Sequence, residues 1–217
     1  FALLSPEITI ITNLDREHLD FYRDLDHIQE MFAAYLERLP EGARVIACAD
    51  DPHLAPILAD CPRELVTYSL KPGKADFYAT DLEPEGLGYR FRLWRRGEAL
   101  GAVTLPLAGS HYVLNAMAAC AVGSLLDLEF PAWQAGLKDL GQIHRRCQVK
   151  GEARGILVID DYGHHPTEIR ATLAGLAQAF PGRRLVLAFQ PHRYSRTRAL
   201  LPEFFPVFHQ AQMVFIT

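Results

Sequence analysis

Two short segments of the sequence gather side chains that do chemistry. The first, Asp160-Asp161-Tyr162-Gly163-His164-His165-Pro166-Thr167-Glu168, runs from the end of an apolar stretch through a glycine turn into a helix opened by proline. Gly163 permits a tight turn, and Pro166 in a first helical turn forgoes only an N–H that would have no intrahelical partner. Two carboxylates, a phenol and two imidazoles at one strand end exceed what turn and cap chemistry need, so the segment is expected at the active edge of a sheet. The second segment, Phe189-Gln190-Pro191-His192-Arg193-Tyr194-Ser195-Arg196-Thr197-Arg198, puts three arginines and a histidine within seven residues. Guanidinium groups suit carboxylate or phosphate, which they bind through paired, charge-assisted hydrogen bonds. As a solvated helix cap the cluster is unfavourable, because cations oppose the positive end of the helix dipole unless an anion sits there.

The elements that must carry these segments follow from hydrophobic period. Ile156–Asp160, Arg184–Phe189 and Met213–Ile216 read as strands, and Pro166–Phe180 and Thr197–Gln210 as helices. Together they make a doubly wound unit in which neighbouring parallel strands set the two clusters side by side. Upstream, Ile8–Thr12 is a buried strand opening into a polar loop at Asn13. From Leu25 to Leu39 apolar residues recur at three and four, which predicts a helix ended by Pro40 and Gly42. Arg44–Ala49 is a strand and His53–Ala59 a short helix, so this part is a mainly parallel sheet. Between Leu65 and Leu105 short alternating segments separated by Gly and Pro predict a small antiparallel sheet appended to it. Val113–Leu126, rich in alanine, is a closely packed buried helix, Pro131–Leu140 a second one, and Gly141–Gly151 a polar connection. Tyr35, Tyr89, Phe91 and Trp94 are read as core.

Composition narrows the function classes. Lys+Arg 22 against Asp+Glu 26 leaves a formal charge of -4, no basic surplus for a nucleic-acid polymer. No run approaches the roughly 18 apolar residues of a membrane span. Cys48, Cys61, Cys120 and Cys147 are scattered, without a CxxC pair, and read as reduced, buried thiols of a cytoplasmic protein. The chain starts without Met and ends in an apolar run, so it reads as part of a longer protein.

The two signature segments resemble those of the Mur ligase family, in the branch that joins L-alanine to UDP-N-acetylmuramate. The resemblance extends to Thr12-Asn13-Leu14-Asp15-Arg16-Glu17-His18-Leu19-Asp20, similar to the family's central-domain motif, and to Gly109-Ser110-His111-Tyr112-Val113-Leu114-Asn115-Ala116, similar to its adenine-contacting helix start. It implies a central ATP-binding domain over residues 1–146 and a Rossmann-like C-terminal domain over residues 147–217, both incomplete. Glu17 and Tyr112 depart from the family pattern, which has aspartate and asparagine there.

The resemblance also implies an activity and its ligands. ATP would phosphorylate the muramate carboxylate, and the L-alanine amine would attack the acyl phosphate, as a step of peptidoglycan synthesis. His18 would help hold Mg2+. His111 and Asn115, four apart on one face of a helix start, would contact adenine, and Arg146 a phosphate or the nucleotide. Arg193 and Arg196, with His192, would orient the amino-acid carboxylate. Asp161 and His164 would meet either the ribose or the incoming amine. No GxxxxGK[ST] phosphate loop occurs in the sequence, so the chain alone is not expected to hydrolyse ATP. Three rivals stand beside this reading. A ligase attaching a preformed tripeptide to the same muramate nucleotide is disfavoured by Gln190-Pro191-His192-Arg193-Tyr194. A module that only binds nucleotide is compatible with the missing phosphate loop. A metal-dependent hydrolase built on His164-His165 is disfavoured because adjacent histidines in a turn do not converge on one ion.

Overall fold

The computed structural model describes residues 1–217 and contains two packed cores. The first is built on a six-stranded sheet whose strands lie in sequence order: β1 (Ile8–Ile11), β2 (Arg44–Cys48), β3 (Glu64–Ser69), β4 (Phe77–Glu85), β5 (Gly88–Arg95) and β6 (Glu98–Leu105). β1 to β4 pair in parallel and β4 to β6 antiparallel, so the expected antiparallel sheet forms the outer strands of the same sheet. Helix α1 (Leu25–Arg38) makes the β1–β2 crossover and α2 (Ala55–Ala59) the β2–β3 crossover, as parallel pairing requires. Asp24 caps α1 by accepting the His27 N–H at 2.8 Å. The β5–β6 hairpin closes on Arg96-Gly97, both in the left-handed region at φ 48° and 86°, as a tight two-residue turn needs.

Helix α3 (Ser110–Leu125) lies on this sheet, with Val113, Met117 and Ala121 at 0% exposure. Its small residues serve close packing: a Cβ on Gly123 would stand 2.5 Å from the Trp133 indole nitrogen of α4 (Phe130–Lys138). One cluster of 32 buried residues runs from Ile11 to Cys147. Tyr35, Tyr89 and Phe91 belong to it as expected, and so does Tyr112, whereas Trp94 lies outside it, half-buried and stacked on Tyr78.

The second core holds Ile169, Leu173, Phe189, Leu200, Phe204 and Val207, contributed by α5 (Pro166–Ala179), β9 (Val186–Phe189) and α6 (Tyr194–Phe208). Three expectations change here. The polar connection yields a strand, β7 (Gln148–Ala153), which pairs antiparallel with β8 (Ile156–Asp160) through the left-handed turn Arg154-Gly155. β8 therefore forms its ladder with this local hairpin partner and is not hydrogen-bonded to β9, which pairs in parallel with β10 (Met213–Ile216). Helix α6 starts at Tyr194 rather than Thr197, because Arg193 at φ 63° makes the turn into it and its carbonyl already accepts the Thr197 N–H at 3.1 Å. No helix is long and apolar enough to cross a membrane.

Candidate active site

The loop that leaves β1, residues 12–24, is where the two cores meet. Leu14 anchors it: the side chain is buried, its N–H donates to Asp51 Oδ2 at 3.3 Å, and its carbonyl lies 2.9 Å from His53 Nδ1. Beyond that anchor the loop faces the N-termini of α5 and α6. Thr167 Oγ1 donates to Asp15 Oδ2 at 2.5 Å, and His165 Nε2 lies 3.3 Å from the Arg16 carbonyl. Arg16 itself reaches Glu203 of α6 at 2.8 Å. His165 also accepts the Thr167 N–H on Nδ1, which makes it the N-cap of α5, and the Glu168 side chain accepts back from the His165 N–H at 3.2 Å. The tautomer carrying its proton on Nε2 satisfies both ring contacts at once.

A small cleft opens between this loop and α6, lined among others by Glu17, His18, Asp20, Arg193, Ser195 and Arg196. Arg196, only 10% exposed, donates from Nε and Nη2 to the single oxygen Oε1 of Glu17, at 2.9 and 2.6 Å. Burial by itself would raise the Glu17 carboxyl, but the Arg196 hydrogen bonds and charge, with the His18 N–H, hold it below the usual carboxylate range. This is the anion that the cation-rich start of α6 required. Arg193 is half exposed and only loosely paired, 3.9 Å from Asp20. His18 and Arg193 both face the cleft in the left-handed region, at φ 55° and 63°, where side chains other than glycine are strained.

A second group lies at the junction of α3 with β8 and α5. Asp161 accepts the Cys147 N–H at 2.9 Å and the Gly163 N–H at 2.8 Å, which fixes the glycine turn. Arg146 Nη1 is 3.6 Å from Glu168 Oε1, and the Arg145 guanidinium lies 4.5 Å over the Tyr162 ring. His111 is pushed below its ordinary pKa by burial, while Asp161 pulls it up, Arg146 presses it down and Glu168 pulls it up. Its Nδ1 is buried without a hydrogen-bond partner, an orphan polar atom that a ligand group would satisfy. Burial, reinforced by Asp161, pushes the Cys147 thiol up to about 12. Close approach of the two parts is built in: a Cβ on Gly175 of α5 would sit 2.8 Å from Gly109 Cα at the start of α3.

The residues singled out from sequence thus fall into two neighbouring groups. His18, Arg193 and Arg196 line the cleft; His192, next in sequence to Arg193, and His164 do not line it, but their rings lie 6.4 Å apart even though their strands are unpaired. His111, Arg146 and Asp161 share the junction, while Asn115, one turn along α3, is exposed. No group of three or more His, Cys, Asp or Glu side chains is placed to hold a metal ion. Glu17 is turned to Arg196 and Asp20 toward Arg193, so His18 lacks carboxylate companions and these residues do not by themselves fit Mg2+. Sequence reasoning missed Asp15, Asp51, His53, Thr167 and the capping role of His165. Only the last left a signal, the cap-to-glutamate spacing from His165 to Glu168.

Comparison with known proteins bears on this arrangement. Residues 2–123 match the Mur ligase middle domain and residues 145–217 the Mur ligase, glutamate ligase domain. The chain is 45% identical over its full length to a UDP-N-acetylmuramate--L-alanine ligase of Syntrophobacter fumaroxidans, of which it covers 46%. The chain spans about half the length of the curated relatives it matches. Among solved structures it resembles the UDP-N-acetylmuramate-alanine ligase of Thermotoga maritima, with 25% identity and a TM-score of 0.79 over 99% of this chain and 46% of that one. It also resembles a murein peptide ligase from Psychrobacter arcticus, with 26% identity and a TM-score of 0.62 over 88% of this chain and 38% of that one.

Proposed function

The chain belongs to the Mur ligase family, and on that premise we propose that it serves an ATP-driven ligase joining L-alanine to UDP-N-acetylmuramate in peptidoglycan synthesis. The observation that carries the reading is the cleft in which Arg193 and Arg196 stand together across from the His18 loop. Two guanidinium groups on one small cleft suit the carboxylate of an amino acid. The choice of a free amino acid over the tripeptide of the rival ligase is supported by the 45% identity, over the whole of this chain, to an alanine-adding relative.

Amide formation from a carboxylate needs a better leaving group than oxide, and ATP supplies it by making an acyl phosphate. The residues of this chain then have separable tasks. Arg193, with His192 beside it, orients the amino-acid carboxylate so that the amine faces the acyl carbon. Arg196, held at the α6 end of the cleft by Glu17, is the second guanidinium offered to that carboxylate. His164, whose Nδ1 lies 3.0 Å from the Tyr162 carbonyl and whose ring is 6.4 Å from that of His192, suits taking a proton from the ammonium group. His111, Asn115 and Arg146 form the nucleotide side, where the orphan Nδ1 of His111 is the group a base would satisfy. Asp161 sets the Gly163 turn and through it the direction of His164. Magnesium belongs to this reading as a companion of ATP. His18 would be its single contact from this chain, the other ligands coming from the phosphates and from residues outside it.

We divide the chain between Arg146 and Cys147, just before β7, into a central ATP-binding part and a C-terminal Rossmann-like part, in a cytoplasmic enzyme. The test uses the full-length protein: ADP release is followed with UDP-N-acetylmuramate while L-alanine is varied. Arg193→Ala is expected to raise the KM for L-alanine at least tenfold and to leave the KM for ATP nearly unchanged. An unaltered KM for L-alanine in that variant removes the assignment.

A further inference from the structure

The Glu17–Arg196 pair spans the cleft that the amino acid would enter, and its geometry is not that of a permanent structural bridge. Both guanidinium donors, Nε and Nη2, converge on one oxygen, Oε1, which also lies 3.3 Å from the His18 N–H. A side-on guanidinium edge is best matched by two carboxylate oxygens in parallel, which Glu17 does not provide here. Arg196 is 10% exposed and needs an anion at all times, whereas Glu17, at 28%, has a path to solvent. Glu17 also belongs to a loop whose next residue, His18, is exposed and held in the left-handed region.

We propose that Glu17 is a built-in stand-in for the amino-acid carboxylate, holding the Arg196 guanidinium in the empty cleft and giving it up when the acceptor arrives. The exchange is neutral in charge, one carboxylate replacing another on the same cation, so Arg196 is never left bare. An incoming carboxylate supplies the second oxygen that Glu17 does not, and Arg193, at the same helix start, adds a second cation. The released Glu17 draws His18 with it, so filling of the amino-acid site is transmitted to the loop after β1. The inference rests on the reading above that Arg193 and Arg196 receive that carboxylate.

A competitor and a structural support give opposite signs. In the full-length protein loaded with UDP-N-acetylmuramate and a non-hydrolysable ATP analogue, binding of L-alanine is measured by calorimetry in the parent, Glu17→Gln, Glu17→Ala and Arg196→Ala. Removing the stand-in is expected to tighten L-alanine binding in both Glu17 variants by on the order of tenfold, while Arg196→Ala loses it. Unchanged or weaker binding in both Glu17 variants, with Arg196→Ala still impaired, overturns the stand-in and leaves the site intact. Parent-like binding in Arg196→Ala shows instead that the carboxylate does not reach Arg196, and both the site assignment there and the stand-in fall.

Discussion

Two helix glycines should respond to the same substitution with opposite signs. Gly136 in α4 is exposed and an added Cβ meets nothing within 4 Å, so Gly136→Ala should gain most of the helix-propensity difference, about 0.5–1 kcal/mol. Gly175 in α5 would gain the same amount in isolation. There, however, the Cβ would stand 2.8 Å from Gly109 Cα, 3.0 Å from Gly109 N and 3.2 Å from Ala108 C, all backbone atoms of the segment that opens α3. That segment has little room to shift, because Gly109 is at φ 117° and the His111 ring packs 2.5 Å from where its Cβ would stand. Overpacking against such a wall costs about 1–3 kcal/mol, so Gly175→Ala should be destabilising by about 1–2 kcal/mol net. Urea unfolding followed by circular dichroism compares the two variants with the parent. If Gly175→Ala stabilises as Gly136→Ala does, α5 is not pressed against the start of α3, and the junction containing His111, Arg146 and Asp161 is not assembled as described.

Three further outcomes follow from the same geometry. His165→Ala should remove the α5 cap and the contact to the Arg16 carbonyl, about 2 kcal/mol together, and speed exchange of the first-turn α5 amides roughly thirtyfold. His165→Asn, which keeps the cap alone, should recover about half of that energy, and parent-like exchange in His165→Ala would disprove the contact. With thiol reagents at pH 8, native protein should label quickly at Cys61 alone, because Cys48, Cys120 and Cys147 are buried and burial pushes Cys120 and Cys147 up to about 12; fast labelling of Cys147 would contradict the packed junction. Burial raises Glu17, Asp76 and Glu168, but hydrogen bonds from Arg196, from Thr67 and from the His164 N–H respectively prevail, so each folded carboxyl is held low. Their stabilisation is complete above the ordinary carboxylate range and is lost as pH falls through it and below, roughly under pH 4. Glu168→Gln should flatten that acid slope, and an unchanged slope would count against the pairing.

How much of this was legible in the sequence depends on the range of the interaction. The period of Leu25–Leu39 located α1 to within a residue, and the alanine-rich run of α3 announced a helix buried on most sides, because both signals are local. The strand-end clusters at Asp161 and Arg193 were visible as chemistry, since four or five polar side chains after an apolar run have few structural uses. β7 was hidden by its composition: Gln148-Val149-Lys150-Gly151-Glu152-Ala153 is mostly solvent-facing and has no apolar alternation to betray it. The Glu17–Arg196 and Asp15–Thr167 contacts join residues 179 and 152 positions apart, and no periodicity reports such pairs. The cation-rich start of α6 did announce that an anion was needed, but not that Glu17 would be the one.

The most direct test of the proposed activity is to incubate the full-length protein with ATP, magnesium and UDP-N-acetylmuramate, offering L-alanine and a preformed tripeptide in equal amounts, and to weigh the nucleotide product. The expected product is UDP-N-acetylmuramoyl-L-alanine, formed with one ADP per amide and lost in Arg193→Ala at limiting L-alanine. A product carrying the tripeptide, or ADP released without any amide, would contradict the proposed function.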